Sequence, residues 1–138
     1  MFTQATKILI VDDVKSLRDL LKAYLRRLGF QNIFEAQDGQ DALEALRQAQ
    51  KANMPFELVI SDWNMPNMDG LNFLKHVRQS AEWKNLPFIL LTTESEKEKV
   101  LEAVKAEVSN YMIKPVDEAT LREKLAKAWE WKRAKTGS

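Results

Sequence analysis

Short continuous apolar runs alternate along this chain with longer stretches in which apolar residues recur every third or fourth position. The first run, Lys7 to Val11 (KILIV), stops at the acidic pair Asp12 and Asp13. A run of this kind, rich in β-branched residues and bounded by polar ones, predicts a strand buried on both faces. Leu17, Leu20, Leu21, Tyr24, Leu25 and Leu28 follow at helical spacing with arginines and lysines between them, and Gly29 supplies a stop. The alternation returns as a weaker strand from Asn32 to Ala36, then a helix from Gln40 to Ala49 with Ala42, Leu43, Leu46 and Ala49 on one face. A polar connection, Gln48 to Pro55, leads to a third strand, Phe56 to Ile60, which runs into Asp62.

Gly70 opens a third helix with Leu71, Leu74 and Val77 inward, and a fourth strand, Phe88 to Leu91, ends at Thr92 and Thr93. A charged helix from Glu96 to Ala106 carries Val100, Leu101 and Val104 as its narrow apolar stripe. Tyr111 to Ile113 predicts a fifth strand ending at Lys114-Pro115, and a last helix from Asp117 or Glu118 shows Leu121, Leu125, Ala128 and Trp129 on one face. Residues 1–6 and the basic tail 132–138 are expected to be flexible ends. Five strands alternating with five amphipathic helices predict a parallel sheet covered on both faces. Right-handed crossovers make that a doubly wound α/β fold, one domain over residues 1–138. Ligands of such folds gather outside the carboxyl ends of the strands. Asp12, Asp13, Asp62, Thr92 and Lys114 all fall at those ends.

Charge and composition narrow the function. The 21 basic and 20 acidic residues leave a net charge of +1, so there is no broad electrostatic footprint for nucleic acid or an anionic membrane. The absence of cysteine removes disulfides, thiolate metal sites and thiol nucleophiles, and fits a reducing cytoplasm. No apolar run approaches membrane-spanning length and the N-terminus, MFTQATK, lacks the layout of a signal peptide. The expectation is a cytoplasmic protein that neither inserts into membranes nor binds nucleic acid.

Three carboxylates converging from neighbouring strand ends repel one another in a partly dry crevice unless some are protonated or a cation sits among them. The candidate ligands are all oxygens, which favours Mg²⁺ over zinc or copper. Beside Mg²⁺, the Asp62 carboxylate can act as a nucleophile towards a phosphoryl group. The charge that then spreads over the phosphoryl oxygens calls for compensation from the metal and from Lys114, and the Thr92 hydroxyl can bond a new phosphoryl oxygen. Each residue taken alone has a plainer reading. Asp12 or Asp13 can cap the first helix, Asp62 and Asp69-Gly70 can be turn chemistry, Thr92 and Tyr111 ordinary strand residues, and Lys114 an extended residue before proline. Their alignment at the strand ends favours function.

Asp12-Asp13, the segment SDWNMPNMDG at 61–70, the Thr92 strand end and Lys114-Pro115 together resemble the receiver domain of two-component response regulators, over nearly the whole chain. Within that family the run VISDWNMPNMDGL, Glu94, Tyr111 and TLREKL at 120–125 most resemble the single-domain chemotaxis regulators. The resemblance implies a flavodoxin-like (βα)5 fold with strand order 2-1-3-4-5. It implies Asp62 as phosphoacceptor, assisted by Thr92 and Lys114, with Mg²⁺ held directly by Asp13 and Asp62, by Asp12 through water, and by the backbone carbonyl of Asn64. Thr92 and Tyr111 would be the switch pair, Asn64 and Glu94 the residues that tune autodephosphorylation, and Lys114-Pro115 a cis bond. The implied partners are a histidine kinase as phosphodonor, a downstream target such as the flagellar motor switch bound at helix 4, strand 5 and helix 5, and a phosphatase. Such a protein is no enzyme in the ordinary sense and catalyses only its own phosphorylation and dephosphorylation.

The chain departs from the family pattern at Glu107-Val108, where a small Gly-Ala pair is usual, so the turn is expected to shift and to use Asn110 for the left-handed conformation. Thr93 stands where a smaller residue is common, and the Gln48 to Pro55 connection is longer than usual. Trp63 is expected to cover part of the site and to report on it by fluorescence; Trp83, Trp129 and Trp131 are read as packing residues, and His76 as a solvated one. A Mg²⁺-dependent phosphatase of the haloacid dehalogenase type also forms an aspartyl phosphate, but it wants a second acid two residues after the nucleophile, where this chain has Asn64. A flavin mononucleotide binder on the same fold class needs hydroxyls after the first strand, where this chain has Asp12 and Asp13. A receiver serving another pathway, or one cut from a longer regulator, is the remaining alternative to a stand-alone chemotaxis regulator.

Overall fold

The computed structural model describes residues 1–93 and 100–137. Its elements are β1 (Ile8–Val11), α1 (Lys15–Arg27), β2 (Ile33–Ala36), α2 (Gly39–Lys51), β3 (Leu58–Asp62), α3 (Gly70–Gln79), β4 (Phe88–Thr92), α4 (Val100–Lys105), β5 (Asn110–Ile113) and α5 (Glu118–Thr136). All strand pairs are parallel, in the order β2-β1-β3-β4-β5. The flavodoxin-like order expected from the resemblance is the order found. Val11 lies opposite Ser61 and Asp62 opposite Leu91, so the carboxyl ends of the central strands are level.

Because side chains alternate along a strand, the sheet has two apolar faces. Leu9, Val11, Val59, Phe88 and Leu90 meet α2, α3 and Ala103 of α4 on one face. Ile8, Ile10, Leu58, Ile60, Ile89 and Leu91 meet Leu21 and Leu25 of α1 and Leu121, Leu125 and Ala128 of α5 on the other. Three helices begin on the same device, an aspartate whose side chain accepts a backbone N–H of the first turn: Asp38 from Asp41, Asp69 from Asn72 and Asp117 from Thr120.

Four expectations need correction. Leu101 and Val104 do not face the sheet: they are 69% and 57% exposed, while Ala103 is fully buried. An apolar stripe marks a helix face without saying what covers it, and here the narrower residue packs inward. The basic tail is helical: α5 runs to Thr136 and closes on Gly137 in the left-handed conformation. At the other end Phe2 is buried and stacks edge-on against Trp129, with ring centroids 5.1 Å apart. Glu107, not Asn110, takes the left-handed conformation, with φ 62°, and Asn110 begins β5.

The Glu107 turn closes α4 in a Schellman arrangement. The Val108 N–H donates to the Ala103 carbonyl at 3.1 Å and the Glu107 N–H to Val104 at 3.0 Å, with Val108 buried beneath. Arg78 Nε donates to the Glu107 carbonyl at 2.8 Å, and the Glu107 carboxylate pairs with Lys135 of α5. In α1, Leu20 is part-exposed and lies with Leu17 and Leu21 along a cleft between that helix and the β5–α5 loop.

Candidate functional site

The polar side chains gather where the strands stop. β1 delivers Asp12 with its side chain buried and Asp13 exposed beside it; β3 delivers Asp62 as its last residue, buried. One carboxylate oxygen from each of the three lies within 4.8 Å of the others. Lys114, just beyond β5, places Nζ 2.8 Å from Asp62 Oδ1. Its own N–H donates to the Thr92 carbonyl at 2.8 Å, tying the end of β5 to the end of β4, and the bond to Pro115 is cis.

Asp12 is held from several directions. Its Oδ1 accepts the Val14 N–H at 2.9 Å, its N–H donates to the Ala36 carbonyl at 3.1 Å, and its carbonyl accepts Arg18 Nη1 at 2.7 Å. Its Oδ2 is buried with no hydrogen-bond partner, an atom that a cation or a cation-bound water would satisfy. Burial pushes the Asp12 carboxyl above the ordinary range, opposed by the Val14 N–H and reinforced by the Asp62 charge. Asp62 is pushed up for the same first reason, although the bond to Lys114 pulls the other way. Among the described residues the site therefore holds three carboxylates against one lysine, Lys114. A divalent cation with oxygen ligands fits this donor set.

Thr92 ends β4 fully buried, and by strand alternation it shares a face of the sheet with Leu90 and with half-buried Tyr111, which lies opposite Leu90 in the register. Lys124 Nζ lies 5.6 Å from the Tyr111 ring centroid. Asn64 is exposed in the turn after Asp62, and Glu94 falls outside the described residues. Trp63 does not cover the site. It is 2% exposed, because alternation carries it to the face opposite Asp62, into the core with Leu9 and Val11.

Two residues were not singled out by the sequence reading. Arg18 is buried in the apolar stripe of α1, three and seven residues before Leu21 and Leu25, and besides Asp12 it binds Glu35 Oε1 at 3.0 Å. A lone arginine within a helix's apolar stripe was the available signal. Asp38 is also buried, and its signal, an aspartate before a helix start, reads only as a cap.

The response regulator receiver domain family matches residues 8–126, and this chain belongs to it. The chain is 45% identical over 124 residues to Chemotaxis protein CheY-3 of Vibrio cholerae, covering 90% of this chain and 92% of that protein. It is 43% identical over 119 residues to Chemotaxis protein CheY1 of Helicobacter pylori, covering 86% and 93%. Among solved structures, the chemotaxis response regulator CheY4 of Vibrio cholerae superposes with a TM-score of 0.77 at 36% identity, over 90% of this chain and 98% of that one. The chain is thus a receiver, a signalling module rather than a classical enzyme. Among the described residues no helix is long and apolar enough to cross a membrane.

Proposed function

We propose that this chain is a cytoplasmic chemotaxis response regulator that takes a phosphoryl group onto Asp62 from a kinase phosphohistidine. In that step the N–P bond of the donor breaks, a bond from an Asp62 carboxylate oxygen to phosphorus forms, and the imidazole leaves. The observation that carries the reading is the buried Asp62 carboxylate with Asp12 and Asp13 within 4.8 Å and Lys114 Nζ at 2.8 Å. A carboxylate already desolvated and lined up with a cation is prepared to attack phosphorus rather than merely to cap a turn.

Asp13 and Asp62 would hold Mg²⁺ directly, Asp12 through water and Asn64 by its backbone carbonyl. Bound there, the metal supplies charge to the phosphoryl oxygens. Lys114 is in place to follow a phosphoryl oxygen once Asp62 carries it, and its backbone N–H ties the same residue to the end of β4 at the Thr92 carbonyl. Thr92 and Tyr111 then act as the switch, and α4, β5 and α5 present the changed surface to a target, for which the flagellar motor switch is the leading candidate. Exposed Leu101 and Val104 suit a surface that a partner covers. Asn64 and Glu94 set how long the phosphoryl group stays, with or without a phosphatase.

Incubation with Mg²⁺ and acetyl phosphate, followed by intact-mass measurement, tests the reading. One phosphoryl group is expected on the parent and none on Asp62→Asn. No uptake by the parent, or equal uptake by the variant, would overturn it.

A further inference from the structure

The segment between Asp62 and α3 is fastened by backbone bonds and, at its far end, by a side-chain tether as well. At the near end the Trp63 N–H donates to the Leu91 carbonyl at 3.0 Å, and the Gly70 N–H at the start of α3 returns to the Trp63 carbonyl at 2.8 Å, so backbone closes the turn on itself. At the far end Asn67 stands in the left-handed conformation, φ 67°, and its Nδ2 donates to Asp38 Oδ2 at 2.8 Å. Next to it the Gly39 N–H donates to the Met68 carbonyl at 3.2 Å. Gly39 leaves room for this approach, since a Cβ there would meet Met68 Cγ at 2.8 Å.

Asp38 uses its two oxygens for two purposes. Oδ1 accepts the Asp41 N–H at 2.9 Å and caps α2, while Oδ2 holds Asn67. Asp38 is 7% exposed as a residue, and these donors keep its carboxylate below the usual carboxylate range, the Asp41 N–H foremost. Two residues earlier in the chain, the Ala36 carbonyl accepts the Asp12 N–H. The short stretch from Ala36 to Gly39 therefore grips both sides of the acidic site: the strand end that carries Asp12, and the turn that carries Asn64.

We infer that Asp38 is a positioning residue for the metal site, holding the turn after Asp62 through Asn67 so that the Asn64 carbonyl is presented to the cation without Asp38 touching it. This rests on the reading of Asp62 and its neighbours as a Mg²⁺-dependent phosphoacceptor site. Without this tether the turn keeps its backbone bonds at Trp63, Met68 and Gly70 but samples more positions between them, and the ordering that Asp38 now supplies must then come out of the binding free energy of the ion.

Asn67→Gly isolates the tether, because glycine keeps the left-handed backbone and the α2 cap stays intact. Calorimetric titration with Mg²⁺ alone is expected to show affinity weakened by about tenfold, the lower end for groups that orient metal ligands. Phosphoryl uptake from acetyl phosphate should fall at limiting Mg²⁺ and recover at saturating Mg²⁺. Asn67→Asp faces two carboxylates and should also bind Mg²⁺ weakly. Adding Asp38→Asn exchanges donor and acceptor, since the new amide still caps Asp41 and donates to position 67, and should recover most of the loss. Parental Mg²⁺ affinity in Asn67→Gly, uptake lost equally at saturating Mg²⁺, or no recovery in the exchanged pair would each overturn the inference. If the parent itself neither binds Mg²⁺ nor takes up phosphate, the reading of Asp62 fails and this inference with it.

Discussion

Replacing Asp12 by asparagine should make the metal-free protein more stable and the metal-loaded protein less stable than the parent. Asparagine retains an oxygen for the Val14 N–H, so the local turn survives, and it removes the charge on the buried Oδ2 that has no partner. Two carboxylates with oxygens at the observed limit of 4.8 Å repel by about 3 kcal/mol at an effective dielectric of about 20. Loss of the weaker attraction between Asp12 and Lys114 offsets part of this, leaving an expected gain on the order of 1 kcal/mol at neutral pH in EDTA. With Mg²⁺ at a hundred times its dissociation constant the parent gains about 2.7 kcal/mol, while the variant, lacking the Asp12 charge that holds a metal-bound water, gains much less. The order of stabilities therefore reverses between the two buffers, which urea denaturation reads directly. The pH dependence has a definite sign. Asp12 and Asp62 have folded pKa values raised above their unfolded ones, so their contribution to stability is full at acid pH and is lost as pH rises through the raised values. The advantage of Asp12→Asn in EDTA should accordingly shrink as pH falls. A variant less stable than the parent in EDTA, or equally stabilised by Mg²⁺, would refute the reasoning.

Gly70→Ala should cost about 3 kcal/mol or more and depress phosphoryl uptake, because its Cβ would fall 2.1 Å from the Asp62 carbonyl, where only backbone can yield; a urea midpoint near the parent's would contradict this. Glu107→Gly relieves a left-handed non-glycine residue at about 1 kcal/mol but gives up the exposed pair with Lys135, worth about 0.5 kcal/mol, so it should be neutral to slightly stabilising, whereas Glu107→Gln keeps the strain, loses the pair and should be slightly destabilising. The orientation of α4 can be checked by contrast: Leu101→Ser should stay within about 0.5 kcal/mol of the parent, and Ala103→Leu should lose about 1–3 kcal/mol by overpacking.

The strands and the cluster of polar residues at their ends were legible for one common reason. A strand buried on both faces must be apolar until it leaves the sheet, so each run ended visibly at the residue that the fold then presents at the rim: Asp12, Asp62, Thr92 and, just past β5, Lys114. Boundaries slipped where burial and strand pairing part company. Phe56 is buried and was read into the third strand, but β3 begins at Leu58 and extends through Asp62. The orientation of α4 was not legible, since Leu101 and Val104 satisfy helical periodicity whether they meet a sheet or a partner. Nor were the contacts of Arg18 and Asp38, whose partners lie far along the chain: Glu35, and Asn67 at a separation of 29 residues. The Glu107 turn was located correctly and assigned to the wrong residue. The backbone bonds that close α4 select the position, and the side chain adapts by finding Lys135.

Within the described residues of α4 only Ala103 is buried, whereas α3 buries Leu71, Phe73, Leu74 and Val77. At about 1.5–3 kcal/mol for each large side chain, α3 is fixed by adhesion to the sheet, while the described part of α4 is held there by little more than one methyl group. Its seat is set mainly by the turn at Glu107 and the groups that grip it, Arg78 from α3 and Lys135 from α5. Sliding or rotating the described part of this helix would expose little apolar surface beyond Ala103. Covering Leu101 and Val104 with a partner would bury more apolar surface than the described part of α4 buries against the sheet.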